Sequence, residues 1–537
     1  MARKDSKPEA IAPQGRVDPH IRSALLLNFK KFANKPVDLD PRLTILIGDN
    51  EAGKSTILLG VDLALSGSRS KVEAIGIESL LRKGAVQEFN ESGRKIEALP
   101  RVAVELYLGG LDSPDLHGRA NSRGESTFGL RMSCEPSEDY QNEIAQLLES
   151  SESVFPFEFY VVKFHTFGGY PYSGFRKYLK HVHIDSASIN AEYAQREYTR
   201  ALFHVHAPTN VRGSLESKYR MVKEEFTSEN LDSLVEADSK TRFQVRSSSK
   251  SNLETDLLIT EEGISLEHRG RGRQALVKTG FAMSRGKGSD AIDLVLLEEP
   301  ENHLSHVGMR QLVNSIAGQS AKQVVVATHS SVIASRLDLR NARLLDPKGN
   351  IASLASLSPE TADFFCKAPS NNLLAFAMSS RVILVEGDAE YMLISTLYEI
   401  WANSTLDADR VQVISVGGTS FKRYMEVAQA LSIRVAVVRD NDGDYQRYCV
   451  DNYEEFVAPQ IRVFADRDPD RKTFEVCMYL DNIAACEAAF GKKTKTLSVQ
   501  QHMLANKAES ALKLAKEYGP LLNVPSYIRE AIEWIRG

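Results

Sequence analysis

A chain of 537 residues is longer than one hydrophobic core can organise, so two or three domains are expected. Its 42% hydrophobic and 26% charged residues are those of a globular protein, and a net charge of -5 excludes a DNA-coating protein that is basic throughout, although a local basic groove suffices for an enzyme acting on nucleic acid. Cys134, Cys366, Cys449, Cys477 and Cys486 show no C-x-x-C pairing, which argues against structural zinc and for a reducing cytoplasm; no apolar run approaches membrane-spanning length, and residues 1–20 read as a flexible tail without a signal-peptide core.

Ile21 to Phe29 is largely apolar and reads as an opening strand running on into F-K-K-F. After a turn at Pro41 and Arg42, Leu43 to Ile47 is a short apolar strand that ends abruptly in Gly48. Gly48 to Ser55 fits G-x-x-x-x-G-K-S, a loop whose glycines let backbone N–H groups wrap around phosphates. Lys54 sets a charge against the outer phosphates and the Ser55 hydroxyl is a Mg²⁺ ligand; Gly48, Asn50, Gly53, Lys54, Ser55 and Thr56 form the expected nucleotide-binding set. The run from Ser55 to Leu65 has the composition of a helix whose N-terminus faces those phosphates. The required context, a strand before and an apolar helix after, separates this motif from an ordinary glycine-containing turn.

Gly67 to Lys71 reads as a polar, basic loop. Val102, Val104, Leu106 and Leu108 alternate with Ala103, Glu105 and Tyr107, a period of two that argues a strand. Leu111 to Thr127 reads as loop, and Phe155 to Phe164 as an aromatic-rich strand. Residues 172–252 are more charged, with helical propensity over Asn190–Leu202 and Ser214–Glu225, and read as a helical insertion suited to self-association. The pairs His181/His183 and His204/His206 place both rings on one face of a strand, but no Cys or further carboxylate recurs at ligand spacing, so ordinary histidines are expected there.

Ile292 to Leu297 is a buried-strand run that delivers Glu298 and Glu299 at its end. Such a pair can divide its work: Glu298 holds Mg²⁺ beside Ser55, and Glu299 polarises the attacking water. A further strand run, Val324 to Ala327, ends in Thr328, His329 and Ser330, with His329 placed to sense the γ-phosphate. In this order the pieces resemble the ABC-type ATPases of the SMC and recombination-repair class, in which a partner's signature loop completes each nucleotide site. The matching stretch, Gly270 to Gln274 ahead of a helix Ala275–Phe281, departs from the usual L-S-G-G, and its alternative reading is a basic exposed loop.

A second strand–loop–helix system opens at Arg381. Val382 to Val385 leads into Glu386, Gly387, Asp388, Ala389 and Glu390, which puts Glu386 at a strand end and Glu390 in the first turn of the next helix. Val435 to Val438 leads into Arg439 and then D-N-D-G-D, with Asp440 and Asp442 expected to share one direction off the strand end. Two acidic clusters meeting on one rim would repel one another, and divalent cations are the natural neutraliser; oxygen ligands suit Mg²⁺ or Mn²⁺. A calcium loop is a poor alternative, because the sixth position counted from Asp440 is Tyr445 instead of glycine and the twelfth is Asp451 instead of glutamate.

E-G-x-x-E after one strand and D-x-D after another resembles the TOPRIM domain of topoisomerases, primases and certain nucleases. An ABC-type ATPase followed by TOPRIM in one chain resembles the OLD (overcoming lysogenisation defect) family of nucleases over roughly residues 21–535. The resemblance implies an α/β fold: an ABC ATPase head in two parts (21–171 and 253–377) around the helical insertion (172–252), a Rossmann-like TOPRIM domain (378–499) and C-terminal helices (500–537), two helices parted at Gly519-Pro520. It adds Glu475 and Lys507 to the TOPRIM site, with Lys492, Lys493 and Lys495 as rivals for the lysine. It further implies two-metal hydrolysis of DNA by Glu386, Glu390, Asp440, Asp442, Glu475 and Lys507, and ATP as a switch. As partners it implies DNA, a homodimer or tetramer, and in anti-phage defence a helicase or a reverse transcriptase with its nucleic-acid product. The alternative from another class is a DNA-tethering or repair ATPase without nuclease activity. A topoisomerase lacks room here for its DNA-gating domain, a primase lacks its zinc cysteines, and a transporter subunit leaves everything after about residue 378 idle.

Overall fold

The computed structural model describes residues 18–149, 154–174, 178–186, 199–200, 203–204, 207–231, 243–246, 252–283, 292–318, 322–330, 333, 337–346, 348–367, 372–418, 420–491 and 497–537. The chain divides into two units, one made of Met1–Thr44 and Gly53–Thr328, the other of Ile45–Ala52 and His329–Gly537. Among the described residues no helix is long and apolar enough to cross a membrane.

In the first unit, alternating and aromatic-rich runs form an antiparallel sheet. β1 (His20–Phe29) pairs with β2 (Phe32–Asp38), while β3 (Leu43–Gly48) leaves this sheet and runs into the phosphate-type loop and α1 (Lys54–Ser66). The sheet continues through β4 (Val102–Gly109), β5 (His117–Gly118), β6 (Thr127–Pro136) and β7 (Tyr160–Thr166) in the order β2-β1-β4-β6-β5, with β7 also on β6. The period of two in β4 does not mark a wet face: every residue from Val102 to Leu108 is buried. On the side of Ala103, Glu105 and Tyr107, Tyr107 packs edge-on against Phe167 at 5.0 Å, and fully buried Glu105 accepts from the Tyr107 hydroxyl, the Ser122 amide and Arg131.

A second, parallel set is built from β8 (His181–Asp185), then, past a two-residue hairpin of β9 (Thr260–Glu261) and β10 (Ile264–Ser265), from β11 (Leu294–Glu298) and β12 (Gln323–Thr328). β11 lies between β8 and β12, with Leu296 opposite His183 and Glu298 opposite Asp185. Its near-continuous apolar sequence is what a parallel strand covered on both faces requires. The buried Gln323 amide binds both the N–H and C=O of Ile21 and the carbonyl of Asp40, tying β12 to β1.

Several elements differ from the sequence reading. Where Gly67–Lys71 reads as loop, α2 (Arg69–Ile75) forms behind Ser68, whose hydroxyl accepts from the Lys71 amide. Phe157–Phe159 is a 3-10 turn behind Pro156, so β7 starts only at Tyr160. β8 falls within residues 172–252 yet joins the ATPase strands. Helix Thr209–Phe226 covers the expected Ser214–Glu225, whereas Asn190–Leu202 and His206 lie almost wholly or wholly outside the described residues. The signature-like stretch is not a loop ahead of a helix: α3 (Arg271–Met283) starts within it. The Gly270 carbonyl accepts from the amides of Arg273 and Gln274, and the buried Gln274 side chain donates to the carbonyls of Glu267 and Arg269, so the turn closes early.

In the second unit, β13 (Ala342–Leu345) pairs in parallel with β3 and antiparallel with β14 (Ile351–Ser353). Four parallel strands follow: β15 (Arg381–Val385), β16 (Val411–Ser415), β17 (Arg434–Val438) and β18 (Ile461–Phe464), ordered β16-β15-β17-β18. The order reverses between β15 and β17, which makes their carboxyl ends the switch point where open α/β sheets bind ligands. Helices α4 (Asp388–Ala402), α5 (Phe474–Asp481) and α6 (Lys507–Tyr518) surround that end. Leu393, Leu397, Leu514, Ile528 and Ile532 share one core with the strands, so the C-terminal segment is part of this body. It forms three helices instead of two, because Val499–Ala505 ends at Asn506, whose backbone (φ -129°, ψ 56°) is not helical, before α6 begins.

Candidate functional site

In the first unit the residues of α1 and the end of β11 meet. Gly53 has φ of 109°, and a Cβ there would lie 2.5 Å from the Phe32 ring, so only glycine fits between the loop and the β1–β2 turn. Lys54 is buried, with its Nζ 3.7 Å from Glu299 Oε1. The Ser55 hydroxyl hydrogen-bonds the Glu298 carboxylate. Burial alone would raise Glu298, but hydrogen bonds from His183 and Ser55 and the charges of His183 and Lys54 outweigh it and hold the carboxyl below its usual range. Glu301, bonded to the Thr328 hydroxyl, is pushed up by burial and by the Glu299 charge, and carboxylate oxygens of Glu299 and Glu301 approach within 4.8 Å. Thus Lys54, Ser55, Glu298 and Glu299 come together. Thr56 lies half-buried one position further into α1; Gly48 ends β3 buried, Asn50 is exposed in the loop, and His329 is exposed directly after β12.

The histidines read as ordinary are part of this construction. His181 and His183 do share one face of β8, and both reach Asp62 of α1: His181 Nε2 at 2.9 Å and His183 Nδ1 at 3.7 Å, while His183 Nε2 lies 3.5 Å from Glu298. Lys71 closes the ring at 2.7 Å from Asp62. Burial opposes charge on Asp62, yet hydrogen bonds from both histidines and the Lys71 charge prevail and keep its carboxyl well below the usual range. Against its own burial, His183 is pushed up to about 9 by Asp62 and Glu298, so it is cationic at neutral pH. The H-x-H spacing was the signal for this; Asp62, inside an apolar helix, was the missing partner.

In the second unit, Val385 is opposite Val438, so Glu386 and Arg439 leave adjacent strands side by side. Glu390, in the first turn of α4, accepts from the Gly387 amide at 3.2 Å and is buried. Asp440 accepts from the Phe474 amide at 2.8 Å, and Glu475 follows in the first turn of α5, 3% exposed. Lys507, the first residue of α6, sets its Nζ 3.1 Å from Glu475 Oε2. Lys492, Lys493 and Lys495 lie outside the described residues. Asp440 and Asp442 differ in burial and in partners. Asp440 is buried beside Glu390, Glu386 and Glu475, whereas Asp442 sits at a left-handed φ of 50° with its carboxylate 49% exposed and held by Arg439.

Three carboxyls of the cluster are held above their usual range. Burial, then the charges of Glu390, Glu386 and Glu475, push Asp440 up to about 8. Glu386 and Glu390 are likewise raised by burial, with neighbouring acids adding to it, against the opposing charges of Arg439 and Lys507 on Glu386 and of Lys507 on Glu390. Among the described residues, Glu386 Oε2 and Glu475 Oε1 are buried without a hydrogen-bond donor. Buried acceptors lacking donors, all of them oxygens, fit a divalent ion of the Mg²⁺ or Mn²⁺ kind.

Comparison with known proteins agrees with both halves. Residues 25–161 match the AAA domain family, and residues 378–442 match the family described as overcoming lysogenization defect protein-like, TOPRIM domain. The Old nuclease of Escherichia phage P2 is 26% identical over 164 residues, covering 28% of this chain and 28% of that relative's length. Among solved structures, the C-terminal region of the Xanthomonas campestris pv. campestris OLD protein is 24% identical over 29% of this chain and 92% of that one, with a TM-score of 0.23. The SMC head domain from Thermotoga maritima is 13% identical over 60% of this chain and 94% of that one, with a TM-score of 0.27. With an AAA-type ATPase region ahead of an OLD-like TOPRIM domain, the chain has the architecture of the OLD family of nucleases.

Proposed function

We propose that this protein is an ATP-hydrolysing, divalent-metal-dependent DNA endonuclease whose cleavage is gated by nucleotide, and that it serves as an anti-phage effector. The observation that carries the reading is the convergence of Glu386, Glu390, Asp440 and Glu475 with Lys507 at the switch point of one parallel sheet. A repair ATPase that only tethers DNA needs no such concentration of buried carboxyls.

Glu386, Asp440 and Asp442 would hold one ion, and Glu390 with Glu475 would place a second. Bound there, divalent ions lower the pKa of an attacking water and stabilise the departing 3′ oxygen. The chain's own part is to keep the carboxyls together, to exclude water around Asp440, and to present Lys507. Against burial, Glu475, Asp440 and Glu390 hold the Lys507 ammonium protonated, ready to stabilise charge on the reacting phosphate. In the first unit, Lys54 and Ser55 would grip the phosphates and metal of ATP, Glu298 would join Ser55 at the metal, Glu299 would orient water, and His329 would sense the γ-phosphate. Phosphodiester hydrolysis is already downhill, so the ATPase serves as a switch, acting through a homodimer or tetramer. Helix Thr209–Phe226 supports self-association, since Val211, Leu215, Val222 and Phe226 lie along one stripe and are exposed. The cytoplasm, with its reduced thiols, is the compartment proposed.

The deciding experiment is a supercoiled-plasmid assay with Mg²⁺ or Mn²⁺, with and without ATP. Nicked or linear product that depends on metal is expected; intact plasmid under every metal and nucleotide condition would leave only the ATPase reading.

A further inference from the structure

Arg439 has no place in the metal site as read so far, yet it is the most firmly fixed cation beside it. The residue follows β17 directly, one position before Asp440, and is only 4% exposed. Its guanidinium makes three hydrogen bonds: Nε to the Asp440 carbonyl at 2.8 Å, one terminal nitrogen to the Tyr453 hydroxyl at 2.9 Å, and the other to Asp442 Oδ2 at 2.7 Å. It also stacks 5.7 Å over the ring of Tyr453, which is fully buried. Two of those anchors belong to the fold and are indifferent to any ligand. The third reaches a carboxylate that Asp442 presents from a left-handed backbone.

The loop around Asp442 is pinned as well. The Asp442 amide donates to the Lys472 carbonyl, and Asn441 donates to the carbonyls of Asp466 and Asp468 while accepting from the Gly443 amide. The backbone is therefore set, and the remaining freedom of Asp442 is rotation of its side chain. Arg439 restricts that freedom by taking Oδ2, and Asp442 is near enough for its charge to act on Glu386. A planar guanidinium held at its other two nitrogens delivers that one hydrogen bond from a fixed position, which a point-charged, flexible lysine cannot do.

We propose that Arg439, anchored on Tyr453, is the positioning residue that orients Asp442 for a divalent cation in the TOPRIM site. The inference rests on the metal-site reading above. Arg439 does not touch the ion or the reacting phosphate; it acts through Asp442. Its positive charge alone would weaken cation binding, so removing a mere bystander arginine would tighten it. Removing a positioning residue does the opposite.

The test measures Mn²⁺ binding to the full chain, by the electron paramagnetic resonance signal of free Mn²⁺, in a Glu298→Gln background that removes the carboxylate proposed for the other unit's metal. Arg439→Lys keeps the charge and loses the planar guanidinium, and should weaken Mn²⁺ binding roughly tenfold or more, as loss of outer-shell partners of metal ligands does. Tyr453→Phe should weaken it in the same direction by less, and decides the matter if Arg439→Lys does not fold. In an added Asp442→Asn background both changes should have no further effect, because the residue they act through is gone. Binding by either variant as tight as or tighter than the parent, or an equal loss in the Asp442→Asn background, overturns the role of Arg439. Absence of Mn²⁺ binding by the parent itself would instead overturn the metal site.

Discussion

Lys507 Nζ lies 3.1 Å from Oε2 of Glu475, although the two residues begin different helices and Glu475 is almost wholly buried. The C-terminal helices make this possible by packing into the same core as the TOPRIM strands, with α6 lying along α4. Among the described residues, Glu475 and Asp442 each make a close ion pair with a protein cation, whereas Glu386 and Glu390 feel the charge of Lys507, and Glu386 also that of Arg439, only at longer range.

The two catalytic tasks should separate by mutation. Lys54→Ala removes a buried charge from the phosphate loop and should cut ATP turnover about a hundredfold or more, the scale of losing one preorganised charge from a transition state. Metal-dependent nicking should persist under at least one nucleotide condition, measured on supercoiled plasmid alongside phosphate release. Loss of all nicking in that variant would contradict separate roles.

Glu386→Ala is the converse. It should abolish cleavage by more than about a hundredfold, since even outer-shell partners of metal ligands cost up to ~100-fold, and leave phosphate release unchanged. Glu386 stands at the end of β15 in the second unit, whereas the Lys54–Glu299 pair belongs to the first. Retained nicking would remove the carboxylate cluster from the chemistry.

Metal requirement should fall as pH rises. Asp440 is pushed up to about 8, and Glu386 and Glu390 are raised too, so below that range the cluster holds protons that a cation must displace. With one proton displaced, the metal concentration for half-maximal cleavage should drop by up to roughly tenfold per pH unit between about pH 6 and 8, then level off. The stability sign is linked: a carboxyl raised in the folded state favours folding at low pH and loses that contribution as pH climbs through about 8. Thermal melts of the metal-free protein should therefore fall toward pH 9, and Mg²⁺ should reverse the loss. A flat pH profile for both would show that these groups do not titrate together.

Gly53→Ala should fail for two steric reasons. A side chain at φ of 109° costs on the order of 1–2 kcal/mol, and its Cβ would press on the Phe32 ring. The variant should lose nucleotide binding, seen by fluorescent-nucleotide titration, while the second unit keeps its far-ultraviolet signature. Unchanged nucleotide affinity would show that the loop does not need this approach.

Motif-bearing strand ends were legible in the sequence because a short apolar run followed by glycine or acid is local information. Leu43–Gly48, Leu294–Glu298, Arg381–Val385 and Arg434–Val438 all form as strands where the sequence places them. Glu475 and Lys507 came from family resemblance, since nothing local tells a first-turn glutamate or a helix-opening lysine from surface residues. The partners were not legible at all. Asp62 is hidden in an apolar helix, Tyr453 among the other aromatics Tyr445, Tyr448 and Phe456, and the packing that joins them to His183 and Arg439 crosses more than a hundred residues in one case and fourteen in the other. Periodicity placed β4 as a strand, although its alternation separates two buried surroundings.

The ring of His181, His183, Lys71 and Asp62 has a mechanical consequence. It clamps the phosphate-loop helix to the strand beside the one carrying Glu298, through buried charges that cannot part cheaply. That helix and those two strands must therefore travel as one stiff lever. Any stroke driven by nucleotide has to be absorbed outside it.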